Sequence, residues 1–400
     1  MSRDVGLTAD TYGPAERAAV RDVMKSGRYT QGEKVAQFEA AFLRAVDAPE
    51  GMRAYMVNSG SSANLLMAEL LARDAKRVGK REVITTALTW STTVAPLILK
   101  GLKPVFVDVD SSYAMNPGSV AHAVSDDTLA VLVPHLLGNP APLNEIMNAV
   151  PSGTILMEDC CEAYGATYDG RHVGTFGNAS SFSFYFSHHL STMEGGMLLT
   201  SEDVSAWREH GWTRGYAREV REELAGQHPD LDPRWTFNDL GYNLRSMEVN
   251  AALGLVQLSR VDGFVKKRRR IRREYDFLLK NPNIVRPTSS AKGVSSPFFY
   301  PIRFQASAGS RDELRAWLEA SGIETRPVLT GNVTRQPWFK RNMDSSVFRV
   351  SSSGLEVTDD IHDHGLLLPL HPLMTLRDVA HVVDSISLYL EKVGLGRIGG

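Results

Sequence analysis

The sequence predicts an α/β protein: a large domain on a mostly parallel sheet with helices on both faces, followed by a smaller C-terminal α/β domain. Three observations point there. Short apolar, β-branched runs alternate with longer helical patterns through the first half of the chain, as in strand–helix–strand units. The 400 residues, 43% of them hydrophobic, exceed what one hydrophobic core usually holds, so two domains sharing a cleft are expected. The pattern then changes after Asn281-Pro282-Asn283, which divides the chain into residues 1–280 and 281–400.

Taken in order, residues 54–57, 82–85, 104–108, 129–133, 154–157, 180–185 and 197–200 read as seven strands. Between them, residues 61–76, 92–100 and 142–150 carry helical spacing. A long helical stretch follows from about 246 to 280, with Leu253, Val256, Leu258 and Val261 on its apolar side and the basic run Lys266-Lys267-Arg268-Arg269-Arg270 after them. That run reads as a solvated helix face near a domain junction, in preference to an anion site. In the second domain, 298–304 and 365–369 read as strands and 311–321 as a helix. No internal repeat or low-complexity segment interrupts the chain.

Composition excludes several classes of function. A formal net charge of -2 gives no global attraction to nucleic acid or to an acidic membrane surface. The first twenty residues mix Arg3, Asp4, Asp10, Glu16 and Arg17, which does not suit the apolar centre of a signal peptide, and no apolar run approaches the roughly 18 residues of a membrane span. A soluble, cytoplasmic protein is expected. The two cysteines, Cys160 and Cys161, are adjacent. Neighbouring thiols suit neither a disulfide framework nor a zinc site, and two fall short of the four thiolates an iron–sulfur cluster usually takes; no metal is expected.

Several segments offer the chemistry of a cofactor site. Asn58-Ser59-Gly60-Ser61-Ser62-Ala63-Asn64 follows a strand and opens an apolar helix. Gly60 permits close backbone approach, Ser61 supplies a hydroxyl, and the free amides of a first helical turn favour an anion such as phosphate. The same residues also make an ordinary helix cap. Asp159, in Glu158-Asp159-Cys160-Cys161-Glu162, ends a strand at the carboxyl edge where open α/β sheets bind ligands. Asp108 and Asp110 satisfy that description equally. Trp90, just past another strand, can stack on a flat heterocycle or simply fill a core. Ser183 and Asn243 are further candidates for phosphate contact. The pair His188-His189 lies between two strands, in Ser187-His188-His189-Leu190-Ser191-Thr192-Met193-Glu194-Gly195-Gly196. Imidazole moves protons near neutral pH; a purely structural histidine is the alternative.

The order of these segments resembles the DegT/DnrJ/EryC1/StrS sugar aminotransferases, fold-type I enzymes of pyridoxal 5'-phosphate (PLP), across nearly the whole chain. The resemblance implies that family's mostly parallel, mixed seven-stranded sheet. It implies a phosphate turn at Gly60 and Ser61 with Ser183, a ring-stacking position at Trp90, and a partner for the pyridine nitrogen at Asp159. It further implies that Asn243, in Gly241-Tyr242-Asn243-Leu244-Arg245, reaches the neighbouring subunit's site, hence a homodimer with shared sites. Two positions depart from the aminotransferases. Glu162 stands where they show glutamine, near the cofactor's phenolic oxygen, and His188 stands where a lysine forms their Schiff base. Both departures, with the Met-Glu-Gly-Gly turn and the stretch from Thr325 to Pro337, resemble the histidine-containing nucleotide-sugar 3-dehydratases of the same group.

That subgroup implies C3 deoxygenation of a nucleotide-linked 4-keto-6-deoxyhexose by the pyridoxamine form of the cofactor (PMP), with His188 as general base and then acid. Glutamate would regenerate PMP, its carboxylate gripped by Arg326 or Arg335 unless either is only a structural ion pair. His189 would support the turn. A reductase-coupled variant of the reaction uses an iron–sulfur cluster, so the cysteine count favours the cluster-free branch. A protein that kept the fold and lost catalysis is the third reading.

Overall fold

The computed structural model describes residues 4–211, 218–232, 235–288, 290–305, 310–342, 346–396 and 398. All seven expected strands are present: β1 (Arg53–Val57), β2 (Glu82–Thr86), β3 (Lys103–Val107), β4 (Thr128–Pro134), β5 (Ile155–Asp159), β6 (Ala179–Ser183) and β7 (Gly196–Thr200). They lie in the order β1-β7-β6-β5-β4-β2-β3. Pairing is parallel throughout, except that β7 runs antiparallel to both neighbours, β1 and β6. The strands are almost wholly buried, as expected of a sheet covered on both faces.

An eighth strand, the two-residue Arg349–Val350, joins the far edge beside β3 in parallel. Two residues carry no periodicity, so sequence pattern does not reveal it. What holds it is an ion pair: Arg349 donates Nε and one Nη to the two carboxylate oxygens of buried Glu82 at 2.9 and 2.7 Å. Burial opposes that charge, but Arg349, Ser125 and Lys103 outweigh it and hold Glu82 well below the usual carboxylate range.

Helices cover the sheet. Helix α1 (Pro14–Ser26) and helix α2 (Glu33–Ala45) precede the strand–helix alternation, and α2 buries Val35, Phe38 and Phe42, at helical spacing, against the sheet. Helix α3 (Gly60–Val78) and helix α4 (Ser91–Leu99) occupy their expected places. The stretch expected as one helix from 246 to 280 is two, Glu248–Leu258 and Val261–Leu278, interrupted at Ser259 and Arg260. Glu248, at the start of the first, accepts from the amides of Gly32, Lys34 and Val35, each at 2.9 Å. A carboxylate on those free amides caps α2 where Gly32 offers no side chain.

Residues after 281 build a four-stranded antiparallel sheet, Ile284–Val285, Tyr300–Phe304, Gly365–Leu368 and Arg326–Pro327 in spatial order. The helices Arg311–Ala320 and Leu376–Lys392 pack on it. Its core also takes in Val5 and the end of the Val261–Leu278 helix through Ile271 and Tyr275, so the two sheets are tied by more than one crossing of the chain. Among the described residues no helix is long and apolar enough to cross a membrane.

Two glycines give a direct test of packing. A Cβ on Gly196 would lie 2.5 Å from the Ser59 carbonyl carbon and oxygen, whereas one on Gly263 meets nothing within 4 Å. In denaturant unfolding, Gly196→Ala should lose about 1–3 kcal/mol or more, and Gly263→Ala, in the first turn of the Val261–Leu278 helix, should gain up to about 0.5–1 kcal/mol.

Candidate active site

Four strand ends converge. The carboxyl ends of β1, β2, β5 and β6 lead respectively into Ser59-Gly60, Trp90, Asp159 itself and the turn that carries His188. A cavity of about 260 Å³ opens there, lined by Gly60, Ser61, Trp90, Asp159, Glu162, Ser183 and His188, with Arg326 and Phe298 reaching in from the second sheet's side. Seven of the eight residues singled out from sequence thus share one cavity. Asn243 does not line it: it is exposed, and its Oδ1 accepts from Arg245 Nε at 3.2 Å.

The floor is the first turn of α3. Ser59 caps the helix, its Oγ accepting from the Ser62 amide at 3.1 Å, and Ser61 Oγ lies 2.8 Å from Thr92 Oγ1. Glycine is required at position 60 because a Cβ would stand 2.6 Å from Ser183 Cβ and 2.8 Å from Cys161 Sγ. Free amides, two paired hydroxyls and an open approach make an anion cradle.

Asp159 ends β5 facing this cavity, and its carboxylate is fully oriented. Thr93 Oγ1 donates to Oδ2 at 2.7 Å, Asn64 Nδ2 donates to the same oxygen at 3.0 Å, and the Cys161 amide donates to Oδ1 at 3.1 Å. Asn64 and Thr93 were not legible as site residues; their signal is only that they are the fifth and third residues of helices starting at the sheet's carboxyl edge. Asp108 resolves differently. Its oxygens accept from the Val357 and Thr358 amides at 2.9 and 2.8 Å, so it caps the helix Glu356–His364.

Trp90 stands 48% exposed at the start of α4, its ring uncommitted to any core. The loop 329–336 closes over that turn: Thr330 Oγ1 donates to the Thr89 carbonyl at 2.5 Å and the Val333 amide to Ala87 at 3.0 Å. Arg326 and Arg335 part company here. Arg335 is committed to Asp359 and Asp363 at 3.3 and 2.9 Å, while Arg326 lies over the Phe299 ring, 5.0 Å from its centroid, at the cavity wall.

Glu162 is half-buried; its Oε2 accepts from the Leu137 amide at 2.9 Å. Burial pushes its carboxyl up to about 7, against the Leu137 amide and Arg326, which favour the charge. His188 is shifted the other way. Its ring packs on Phe298 with centroids 4.8 Å apart, and Nδ1 is buried without a hydrogen-bond partner. Burial first, and then the positive charges of Arg268 and Arg326, push it down to about 3. The imidazole is therefore neutral across the physiological range.

His189 points away. Its Nε2 lies 3.0 and 3.2 Å from the Ser296 and Pro297 carbonyls and therefore carries the hydrogen. The group His135, Glu158 and Cys160 lies close together and buried, but His135 is engaged by Glu158 at 3.1 Å and by the Ala141 amide at 3.1 Å. Glu158 also accepts from the amides of Gly174, Phe176 and Gly177. This cluster is spent on tying β4, β5 and the 174–177 loop together.

The two histidines should separate in denaturant unfolding. His189→Ala removes the ring's contacts to two carbonyls and leaves a void, which should cost roughly 2–4 kcal/mol; His188→Asn, at a ring whose Nδ1 has no partner, should cost less than about 1 kcal/mol. Equal losses would contradict this assignment.

Comparison with known proteins agrees with this geometry. The chain is 34% identical to dTDP-4-dehydro-2,6-dideoxy-D-glucose 3-dehydratase of Saccharopolyspora spinosa, over 94% of this chain and 84% of that protein. It superposes with a TM-score of 0.86 on the E. coli GDP-4-keto-6-deoxy-D-mannose-3-dehydratase with bound hydrated PLP, at 31% identity, covering 96% of this chain and all of that one. A GDP-4-keto-6-deoxymannose-3-dehydratase with a trapped PLP-glutamate geminal diamine superposes at 0.83, with 31% identity, over 95% and 99% of the two chains. Residues 11–387 match the DegT/DnrJ/EryC1/StrS aminotransferase family; with a cavity of this lining at the carboxyl edge of this sheet, the chain belongs to that family.

Proposed function

We propose that this chain is a PLP/PMP-dependent 3-dehydratase that removes the C3 hydroxyl of a nucleotide-linked 4-keto-6-deoxyhexose, with glutamate as amino donor. The observation that carries the reading is His188: a neutral imidazole in the cavity wall, in a family whose aminotransferases place lysine there. The residues present fit the cofactor. The serine and threonine hydroxyls at the α3 turn suit a phosphate, the oriented Asp159 carboxylate suits a protonated ring nitrogen, and the exposed Trp90 ring suits stacking on a flat heterocycle. When bound, PMP supplies an amine that condenses with the sugar ketone and a ring that accepts electrons.

The chain's own groups do the rest. Asp159, fixed by Thr93, Asn64 and the Cys161 amide, holds a proton on the ring nitrogen. Trp90 covers a ring face. His188, unprotonated, accepts a proton and then delivers it to the departing C3 hydroxyl. Glu162, on the cavity wall with its carboxyl raised to about 7, would hold or yield a proton to the bound group. Arg326, not Arg335, binds the donor's carboxylate, because Arg335 already serves two aspartates. Asn243 lies outside this cavity and belongs, in this reading, to the site of a second copy in a homodimer. Two relatives act on sugars of different nucleotides, dTDP and GDP, so the nucleotide is left to product analysis with a panel of GDP-, CDP-, UDP- and dTDP-linked sugars.

The decisive incubation contains protein, PLP, glutamate and the 4-keto-6-deoxy sugar nucleotide, with no reductase. A 3-deoxy-4-keto product with stoichiometric ammonia and 2-oxoglutarate supports the reading; product formed only after adding a reductase would replace it with the electron-dependent variant. His188→Asn should lower turnover by about 10²–10⁴-fold, and turnover at the wild-type rate would refute the base assignment. Arg326→Lys should raise the KM for glutamate well above its effect on the sugar, whereas Arg335→Lys should leave both unchanged.

A further inference from the structure

The basic run 266–270 was expected to be a solvated helix face, and for Lys266, Lys267 and Arg270 it is. Arg268 departs from it: the residue is 3% exposed. Its Nη1 donates to the carbonyls of Phe298 and Leu370, each at 2.7 Å, and lies 3.5 Å from that of Pro297; its Nη2 lies 3.4 Å from the Ser187 carbonyl. The Nε hydrogen has no partner. Among the described residues no carboxylate pairs with this guanidinium. A buried cation without a counter-ion is costly even when its hydrogens are well placed, so its position calls for a physical reason.

The carbonyls it holds supply one. Ser187 immediately precedes His188, and Phe298 is the ring against which His188 packs. Leu370 follows the strand Gly365–Leu368 of the second sheet. Three segments, two of them flanking one imidazole, are thus held by a single planar fork, which lysine cannot reproduce. We propose that Arg268 is a positioning residue for His188: it fixes the backbone on both sides of the ring, and its unpaired charge keeps a second positive charge off the imidazole, so the base enters the reaction deprotonated. This rests on the reading of His188 as the general base.

The charges around His188 favour that result. Arg268 acts on it from the Val261–Leu278 helix, beside the Ser187 carbonyl, and Arg326 from the second sheet; Tyr185 and His189 flank it on its own turn, and Asp159, Glu162 and Glu194 line the same cavity. Burial, then Arg268 and Arg326, dominate the shift on His188. His189 and His371, which also feel Arg268, are displaced in the same direction. A carboxylate partner for Arg268 would cancel its field and let His188 keep a proton nearer neutrality.

The test uses the full chain with Arg268→Lys and Arg268→Met, folding checked by circular dichroism. In cofactor-loaded protein, Arg268→Lys retains the charge and loses the fork: kcat should fall about 10- to 100-fold with the acid limb of the pH profile unmoved. Arg268→Met loses both, and its acid limb should move up in pH. A second readout needs no turnover: NMR titration of the His188 ring in cofactor-free protein, assigned with His188→Asn, should move toward neutrality in Arg268→Met and stay low in Arg268→Lys. A folded Arg268→Met with the wild-type titration and acid limb would overturn the proposal, as would wild-type kcat and KM in Arg268→Lys, which decides alone if Arg268→Met does not fold. Because the titration is independent of catalysis, a shifted His188 together with an active His188→Asn would leave Arg268's effect standing and refute only the base assignment.

Discussion

The site depends on how closely the first turn of α3 approaches the β6–β7 hairpin. Gly60 touches the Ser183 and Cys161 side chains, and Gly196 lies against the Ser59 carbonyl and the Gly60 amide. At each position a methyl group would have to displace backbone or a packed side chain. The contact therefore fixes, in one place, the free amides of a helix, the end of β5 and the start of the His188 turn. The proposed function follows from that registration: a cradle for an anion at one end, a carboxylate to meet a ring nitrogen at the other, and an imidazole between the sheets. Trp90 and Arg326 are then brought in by the loop 329–336, whose hydrogen bonds to Ala87 and Thr89 close the second sheet's side onto the first.

Retention of the cofactor is a different problem here from that in a lysine-bearing relative. Among the described residues no lysine lines the cavity, so in the proposed reading affinity comes from preorganised contacts. Three donors converge on Asp159 alone. Fixing that carboxylate before binding reduces the ordering cost that binding would otherwise carry.

The fold was largely legible because its strands are continuous apolar runs separated by helical spacing, and family order sharpened which runs bear the site. What sequence missed has physical reasons. The strand Arg349–Val350 is too short for periodicity and is held by a buried ion pair across the chain. The break at Ser259 and Arg260 carries neither glycine nor proline, the usual signals of a helix end. Asp108 and Asp159 look alike as strand-end acids, and only the helix Glu356–His364, some 250 residues away in sequence, shows that the first is a cap. Arg268 sits in a run of five basic residues whose composition says solvent, while the position of the helix puts that one side chain in the core. Asn64 and Thr93 gain meaning only from a hydrogen bond to Asp159 that no local pattern contains.

Glu162 and His188 show how one environment can set two opposite protonation states. Burial raises the carboxyl to about 7 and lowers the imidazole to about 3; in each case the neutral form gains, and the two groups lie on one cavity. An imidazole so depressed takes up a proton reluctantly, which argues against a resting imidazolium. Its protonated form is correspondingly a strong acid, and expulsion of a hydroxyl is the step that needs one. A lysine ammonium, with its ordinary value near 10.4, would be a much weaker acid at that point. In the proposed reaction, a buried histidine beside Arg268 thus stands where a lysine would tether the cofactor and serves as a proton carrier matched to loss of water, and Glu162 on the same cavity, its carboxyl raised to about 7, can hold or release a proton there.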